Sequence, residues 1–167
     1  MPLFQDFRSI ELKDWLSLAN AACGAVGIVL AAAGFAEAAA YIVFAVLFDY
    51  LDGKVARKGK PTAFGKELDS LADSVSFVAA PAFVVVSMAT FNLLALIGGV
   101  AYCCCGVLRL AWFSVQKEAK VFRGVPSPAA AVAVIVLGLV APALGWLWLL
   151  LAGAGMVTAI KIAKPKL

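Results

Sequence analysis

Long apolar runs alternate with short polar segments along almost the whole chain. Most runs are roughly twenty residues long, which is the length that a helix needs to cross a bilayer. Gly59 and Pro61 break the pattern after the second run, and Pro126 and Pro128 suit the first turn of a later helix. The pattern predicts six transmembrane helices, at 16–35, 38–57, 64–88, 91–115, 126–142 and from 145 onwards.

The segment before the first run has a different pattern. Leu3, Phe4, Phe7 and Ile10 alternate with charged residues at roughly helical spacing. This predicts a short amphipathic helix at the membrane interface, with Trp15 anchoring the start of the first span. The expected fold is therefore an all-α integral membrane protein, with an interfacial helix at 1–15 and a six-helix transmembrane domain at 16–167.

The composition supports a membrane protein and excludes an ordinary soluble domain. Apolar residues make up 64% of the chain and charged residues only 14%, too few to cover a water-exposed surface. The net charge of +4 comes from basic residues between the spans, so we expect lipid headgroups as partners and no nucleic acid. The chain has no histidine, and its 4 cysteines are expected to be small packing residues.

The basic residues also predict the orientation of the chain. Of the 14 lysines and arginines, Arg109 lies inside a predicted span and the others lie on the side that holds both termini. The connections near 35–38, 89–92 and 142–146 contain none. The positive-inside rule therefore predicts that both termini are cytoplasmic, together with the polar stretch at 48–77.

That polar stretch carries four aspartates between apolar runs. Asp49 and Asp52 are three residues apart and Asp69 and Asp73 are four apart, so each pair lies on one helix face. An ionised carboxylate in a membrane helix costs at least about 2.5–3.5 kcal/mol unless it is compensated. Divalent cations would compensate all four, and oxygen ligands favour Mg²⁺, Mn²⁺ or Ca²⁺.

Other interpretations of these aspartates remain open. They could cap helices or pair with nearby lysines, although caps do not need paired spacing on two successive helices. They could also form the ion pathway of a small cation transporter. Gly53 would let a ligand approach the helix closely, and Arg57 could hold a phosphate oxygen. Together these residues favour a metal site that handles a phosphate.

The same residues resemble the signature of a known family, the CDP-alcohol phosphotransferases. The matching pattern is Asp49-x-x-Asp52-Gly53-x-x-Ala56-Arg57, followed by Gly65-x-x-x-Asp69-x-x-x-Asp73. The resemblance is close over 49–73 and extends from the first predicted span to the fifth. It implies an enzyme that transfers a phosphatidyl-type group from a CDP-linked lipid to an alcohol and releases CMP.

The resemblance also implies a role for each matching residue. Asp49, Asp52 and Asp69 would ligate a centre of two Mg²⁺ or Mn²⁺ ions, while Asp73 would help to ligate the second ion and act as the catalytic base. The residues that would line the CDP-lipid pocket are Gly53, Ala56, Arg57 and Gly65. Asn20, near the start of the first span, is a further candidate for the nucleotide or metal pocket.

Segments outside the signature bear on the acceptor alcohol. The residues around Asn20 and those at 124–131 resemble the phosphatidylserine synthase branch, which implies L-serine as acceptor and CDP-diacylglycerol or CDP-archaeol as donor. Arg109 is a candidate for binding an acceptor carboxylate or phosphate, and Ser127 for contacting the acceptor. An inositol phosphate or glycerol phosphate acceptor stays open, as do purely structural roles for Arg109 and Ser127.

The resemblance further implies a homodimer. Small residues at helical spacing in the third and fourth predicted spans could allow close packing between two copies. These residues are Ala72, Ser76, Ala79, Gly99 and Gly106.

Overall fold

The computed structural model describes residues 11–56, 62–115, 122–158 and 161–162. In this part of the chain the structure is dominated by helices. They are α1 (Leu12–Ala32), α2 (Ala38–Ala56), α3 (Ala63–Asp73), α4 (Ala80–Met88), α5 (Leu93–Val115), α6 (Ser127–Val140) and α7 (Gly145–Val157). A π-helical segment, Ser74–Ala79, joins α3 to α4, and a 3₁₀ turn, Pro142–Leu144, precedes α7.

The prediction of a helical membrane protein is confirmed at this level. Three helical stretches are long and apolar enough to cross a membrane, namely Leu12–Ala32, Ala63–Met88 and Leu93–Val115. The helices α6 and α7 are apolar but shorter. The helix α2 has 19 residues and carries charged side chains near its end. The described helices therefore follow the six predicted runs in order, and the exact number of spans stays a prediction.

The start of α1 differs from the predicted start of the first span. The helix begins at Leu12, and the Asp14 carboxylate accepts a hydrogen bond from the Glu11 backbone N–H at 2.9 Å. In return, the Glu11 side chain accepts a hydrogen bond from the Asp14 backbone N–H. This capping box fixes the helix start before the apolar run begins. Trp15 therefore lies within α1, while most of the predicted interfacial helix, residues 1–10, lies outside the described residues.

A short pair of strands is an addition to the predicted all-α fold. Strand β1 (Phe122–Arg123) pairs antiparallel with β2 (Lys161–Ile162), so that the connection before α6 meets the segment after α7. Nearby, the Val125 N–H donates to the Gly155 carbonyl at 3.1 Å. Such pairing joins residues that are distant in sequence, so a local pattern of apolar residues does not predict it. Its effect is to hold the start of α6 against the end of α7.

The π-helical segment is tied to helices on two sides. The Tyr102 hydroxyl of α5 donates to the Phe77 carbonyl at 2.9 Å, and the Ser76 hydroxyl donates to the Asn20 carbonyl of α1 at 2.8 Å. A π-helix has a wider hydrogen-bond pattern than an α-helix and frequently occurs at functional sites. This one begins directly after Asp73, so its contacts constrain the end of α3, the helix that carries Asp69 and Asp73.

Small residues allow this close packing within one chain. A Cβ atom at Gly24 would lie 2.7 Å from the Ser76 Cα atom, and one at Gly106 would lie 2.7 Å from the Val78 side chain. The small residues predicted to face a second copy are thus mostly buried inside this chain, including Ala72 and Gly99. Four of the five positions are therefore filled by contacts within this chain, and the homodimer stays a prediction.

Candidate active site

Three of the four predicted aspartates converge. Asp49 comes from the end of α2, while Asp69 and Asp73 come from successive turns of α3. One carboxylate oxygen from each residue can be chosen so that all three lie within 4.8 Å of one another. All three side chains are partly buried. Without compensation, three carboxylates this close would repel one another strongly.

The donor set of this cluster fits a hard divalent cation. It offers carboxylate oxygens, and within the described chain no histidine or cysteine joins the group. The Oδ1 atom of Asp69 is buried and has no hydrogen-bond partner among the described residues. A buried anionic oxygen without a donor is costly, and a bound cation would remove that cost. The cluster therefore suits Mg²⁺ or Mn²⁺, which prefer oxygen ligands.

Asp52 lies beside this cluster with its own hydrogen-bond donor. Its side chain is buried, and its Oδ2 atom accepts a hydrogen bond of 3.1 Å from the Ser17 hydroxyl of α1. It is close enough to Asp69 and Asp49 to interact with their charges. The structure thus brings the four predicted aspartates into one region but gives them different surroundings.

A pocket opens next to Asp52 and Asp69. Its volume is about 170 Å³, and its walls come from α1, α2 and the start of α3. The lining residues are Lys13, Ser17, Asp52, Gly53, Thr62, Gly65, Lys66 and Asp69. The predicted pocket residues Gly53 and Gly65 are therefore together, and two lysines supply positive charge beside the carboxylates.

Four of these lining residues were not predicted from the sequence. They are Lys13, Ser17, Thr62 and Lys66. One signal was available for Thr62, whose hydroxyl caps α3 by accepting the Gly65 backbone N–H at 3.1 Å, since threonine before a helix is a usual cap. Another was available for Ser17, which lies three positions before Asn20 and hence on the same helix face.

The two pocket glycines serve different purposes. A Cβ atom added at Gly53 would meet nothing within 4 Å, so this position opens onto free space. A Cβ atom at Gly65 would lie 2.8 Å from Asp14 Oδ1 and 2.9 Å from Thr62 Oγ1. Gly65 therefore lets the Asp14 and Thr62 side chains lie close to α3, whereas Gly53 leaves room for a ligand.

Asn20 contacts an aspartate and is not among the residues that line the pocket. Its side chain is fully buried, and its Nδ2 group donates to Asp73 Oδ1 at 3.2 Å. The sequence left open whether Asn20 lies in the nucleotide pocket or the metal pocket. In the structure it lies beside the carboxylate cluster. Asp73 thus has a neutral donor on one oxygen, as Asp52 has.

The two predicted acceptor residues are in contact with each other. The Arg109 guanidinium on α5 donates through Nη1 to the Ser127 hydroxyl at the start of α6. Ser127 is fully buried, and the Nε group of Arg109 is buried without a partner in the described part of the chain. Arg109 is also close enough to Asp73 for their opposite charges to attract.

Comparison with known proteins agrees with this geometry. The profile of one family, described as CDP-alcohol phosphatidyltransferase, matches residues 11–160. The chain belongs to that family. The match covers every helix described above and includes both acidic helices.

Individual relatives are similar over most of this chain. It is 38% identical to a CDP-diacylglycerol–serine O-phosphatidyltransferase of Methanocaldococcus jannaschii over 134 residues, covering 80% of this chain and 63% of the relative. It is 44% identical to an archaetidylserine synthase of Methanothermobacter thermautotrophicus over 131 residues, covering 75% and 56%. A CDP-diacylglycerol–serine O-phosphatidyltransferase of Bacillus subtilis is 32% identical over 127 residues, covering 73% and 72%. The chain therefore spans less than two thirds of the length of the two archaeal relatives.

Two residues of the matching pattern lie at the end of α2 and directly after it. Ala56 is the last residue of α2, so it lies one turn beyond Asp52 and Gly53. Arg57 lies outside the described residues. Their assignment to the CDP-lipid pocket stays a prediction from the family resemblance.

Proposed function

We propose that this chain transfers a phosphatidyl-type group from a CDP-linked lipid to L-serine and releases CMP, as a step of phospholipid biosynthesis. The lipid donor would be CDP-diacylglycerol or CDP-archaeol. The observation that carries the proposal is the convergence of Asp49, Asp69 and Asp73 beside a pocket of glycines and lysines. The names of the relatives from M. jannaschii and M. thermautotrophicus support the choice of serine.

The carboxylates would hold a two-metal centre of Mg²⁺ or Mn²⁺. Asp49, Asp69 and Asp73 are proposed as ligands because their oxygens converge, and Asp52 because it borders both Asp69 and the pocket. When bound, the ions would neutralise the diphosphate and stabilise charge that develops during transfer. The donor's diphosphate would lie against Gly53, where the structure leaves open space.

Asp73 is proposed as the base for the acceptor. Its carboxylate would accept the proton of the serine hydroxyl while the serine oxygen forms a bond to the lipid-side phosphorus. The bond from that phosphorus to the bridging diphosphate oxygen breaks, and CMP leaves with the electron pair. A positioned aspartate can act as a general base. The rest of the reaction depends on positioning and charge neutralisation more than on covalent help.

Arg109 and Ser127 are proposed to bind the acceptor. The unpartnered Nε group of Arg109 could donate to the carboxylate of serine, and Arg109 is near Asp73. Ser127 would orient the guanidinium or contact the acceptor itself. An inositol phosphate or glycerol phosphate acceptor is the alternative, because arginine also binds phosphate.

The membrane arrangement is part of the proposal. Six spans would place both termini and the aspartates on the cytoplasmic side, where a soluble alcohol and a lipid-borne diphosphate can meet. The distribution of lysine and arginine along the sequence supports this orientation. A homodimer is proposed from the family resemblance alone, with an interface other than the buried small residues of 72–106.

One assay tests the proposed reaction. The purified protein in detergent is given CDP-diacylglycerol or CDP-archaeol with Mn²⁺, and CMP release is followed with serine, inositol phosphate or glycerol phosphate. We expect serine to stimulate release. Stimulation by another acceptor alone would overturn the choice of serine and keep the reaction class. No CMP release with any acceptor, or release that does not depend on the donor or the acceptor, would contradict the CDP-alcohol phosphotransferase reaction. It would favour the alternative of a cation transporter.

A further inference from the structure

A buried polar stripe runs along the first helix. Lys13, Ser17 and Asn20 lie on one face of α1, with exposed side-chain fractions of 8%, 4% and 0%. Polar groups buried in an apolar helix are destabilising unless they find hydrogen-bond partners. The stripe therefore identifies the face of α1 that meets polar groups of other helices.

Two residues of this stripe contact one aspartate from each acidic helix. The Ser17 hydroxyl lies 3.1 Å from Asp52 Oδ2 of α2 and 3.2 Å from the Lys13 carbonyl, and its one proton goes to the carboxylate when it orients Asp52. The Asn20 amide donates to Asp73 of α3 at 3.2 Å. Both donors are neutral, so they can orient a carboxylate without cancelling its charge. The corresponding Oδ1 atom of Asp69 has no donor in the described part of the structure.

The position of Asn20 is held by contacts other than its own side-chain hydrogen bond. Its carbonyl accepts the Ser76 hydroxyl at 2.8 Å, and Gly24 lies directly against the Ser76 backbone. These contacts lock α1 to the π-helical segment that begins after Asp73. The amide oxygen of Asn20 is buried and unpartnered among the described residues, so packing alone does not account for an asparagine here.

We propose that Ser17 and Asn20 are positioning residues for the metal centre. Each holds one oxygen of its aspartate, so that the other oxygen of Asp52 or Asp73 is directed towards the cation. The inference rests on the proposed metal site and deepens it, because it assigns α1 the task of orienting ligands from α2 and α3. Outer-shell donors of this kind commonly change metal affinity or activity by about 10–100-fold when they are removed.

Metal binding to the purified protein tests the proposal without the transfer reaction. Mn²⁺ is titrated against the wild type, Ser17→Ala and Asn20→Leu, with free Mn²⁺ measured by electron paramagnetic resonance. Ser87→Ala is the matched control, since it removes a hydroxyl that donates to a carbonyl of its own helix, Val84, at 2.7 Å. We expect Kd for Mn²⁺ to rise by about tenfold or more in the two test variants and to stay unchanged in the control.

A double-mutant cycle shows whether Ser17 acts through Asp52. If it does, adding Ser17→Ala to Asp52→Asn should weaken Mn²⁺ binding no further than Asp52→Asn alone. If Ser17→Ala does not fold, Ser17→Thr and Ser17→Val form a pair of equal shape that differs in the hydroxyl. We expect the threonine variant to bind Mn²⁺ more tightly than the valine variant.

Three results would overturn the proposal. They are an Mn²⁺ affinity unchanged in both test variants, additive effects in the cycle, and a wild type that does not bind Mn²⁺. A variant that lowers only the thermal stability would also show a structural role. Because the titration needs neither CDP-lipid nor acceptor, a failure of serine in the CMP-release assay leaves this test intact and distinguishable.

Discussion

Arg109 and Ser127, eighteen residues apart in sequence, are joined by a hydrogen bond from the guanidinium to the hydroxyl. The contact links α5 to the first turn of α6 beside Asp73. The two residues proposed separately for acceptor binding are therefore neighbours in the structure. The strands β1 and β2 and the Val125–Gly155 hydrogen bond hold this end of α6 in place.

Replacing Arg109 tests whether this site binds serine. Arg109→Gln should raise KM for serine by roughly 10- to 100-fold, because a hydrogen bond to a charged group contributes about 1.5–3 kcal/mol. KM for the CDP-lipid should change little. Steady-state CMP release at varied serine checks this. Equal changes in the constants of both substrates would instead indicate a structural role for Arg109.

Gly53 and Gly65 should respond differently to a methyl group. Gly53→Ala should keep or raise stability, because alanine is favoured over glycine in a helix by about 1 kcal/mol and the added atom meets no protein atom. It should nevertheless raise KM for the CDP-lipid by about tenfold if the diphosphate occupies that space.

Gly65→Ala is the comparison for that variant. Its added atom would crowd Asp14 Oδ1 and Thr62 Oγ1, so the thermal midpoint in detergent should fall. Thermal melts and CMP-release kinetics on both proteins distinguish the two roles. An unchanged KM in Gly53→Ala would mean that no ligand lies against this residue.

Asp73→Asn separates the base from the metal ligands. The amide keeps the size of the side chain and one oxygen but cannot accept the serine proton, so we expect nearly complete loss of CMP release. Mn²⁺ affinity should weaken only partly. Asp69→Asn should weaken Mn²⁺ binding more, because Asp69 Oδ1 is a buried oxygen without another partner in the described chain. Retained turnover in Asp73→Asn would remove Asp73 as the base.

Tyr102→Phe tests the support of the π-helical segment. Loss of the hydroxyl would leave the Phe77 carbonyl without this buried donor, at a cost of about 1–3 kcal/mol in the free energy of unfolding. CMP release should fall as well, because the segment follows Asp73. Tyr50→Phe is the control, since Tyr50 is 58% exposed. Equal stability of the two variants in a denaturant titration would contradict the prediction.

Much of the helical architecture could be predicted from local sequence. The predicted second span, 38–57, corresponds to Ala38–Ala56, and the fourth, 91–115, to Leu93–Val115. This accuracy has a physical cause. A membrane helix must satisfy its own backbone hydrogen bonds and match the bilayer thickness, so its length is visible in a run of apolar residues. Charged caps such as Glu11 and Asp14 shift a boundary by a few residues.

The aspartate pairs were also visible locally, because spacings of three and four place side chains on one helix face. The local sequence thus specifies the chemical groups and the helices that carry them. The convergence of Asp49 with Asp69 and Asp73, and the hydrogen bond from Ser17 to Asp52, become visible only once the helices are packed together. Spacing along one helix follows from backbone geometry, whereas the faces that meet depend on packing between distant residues such as Gly24 and Ser76.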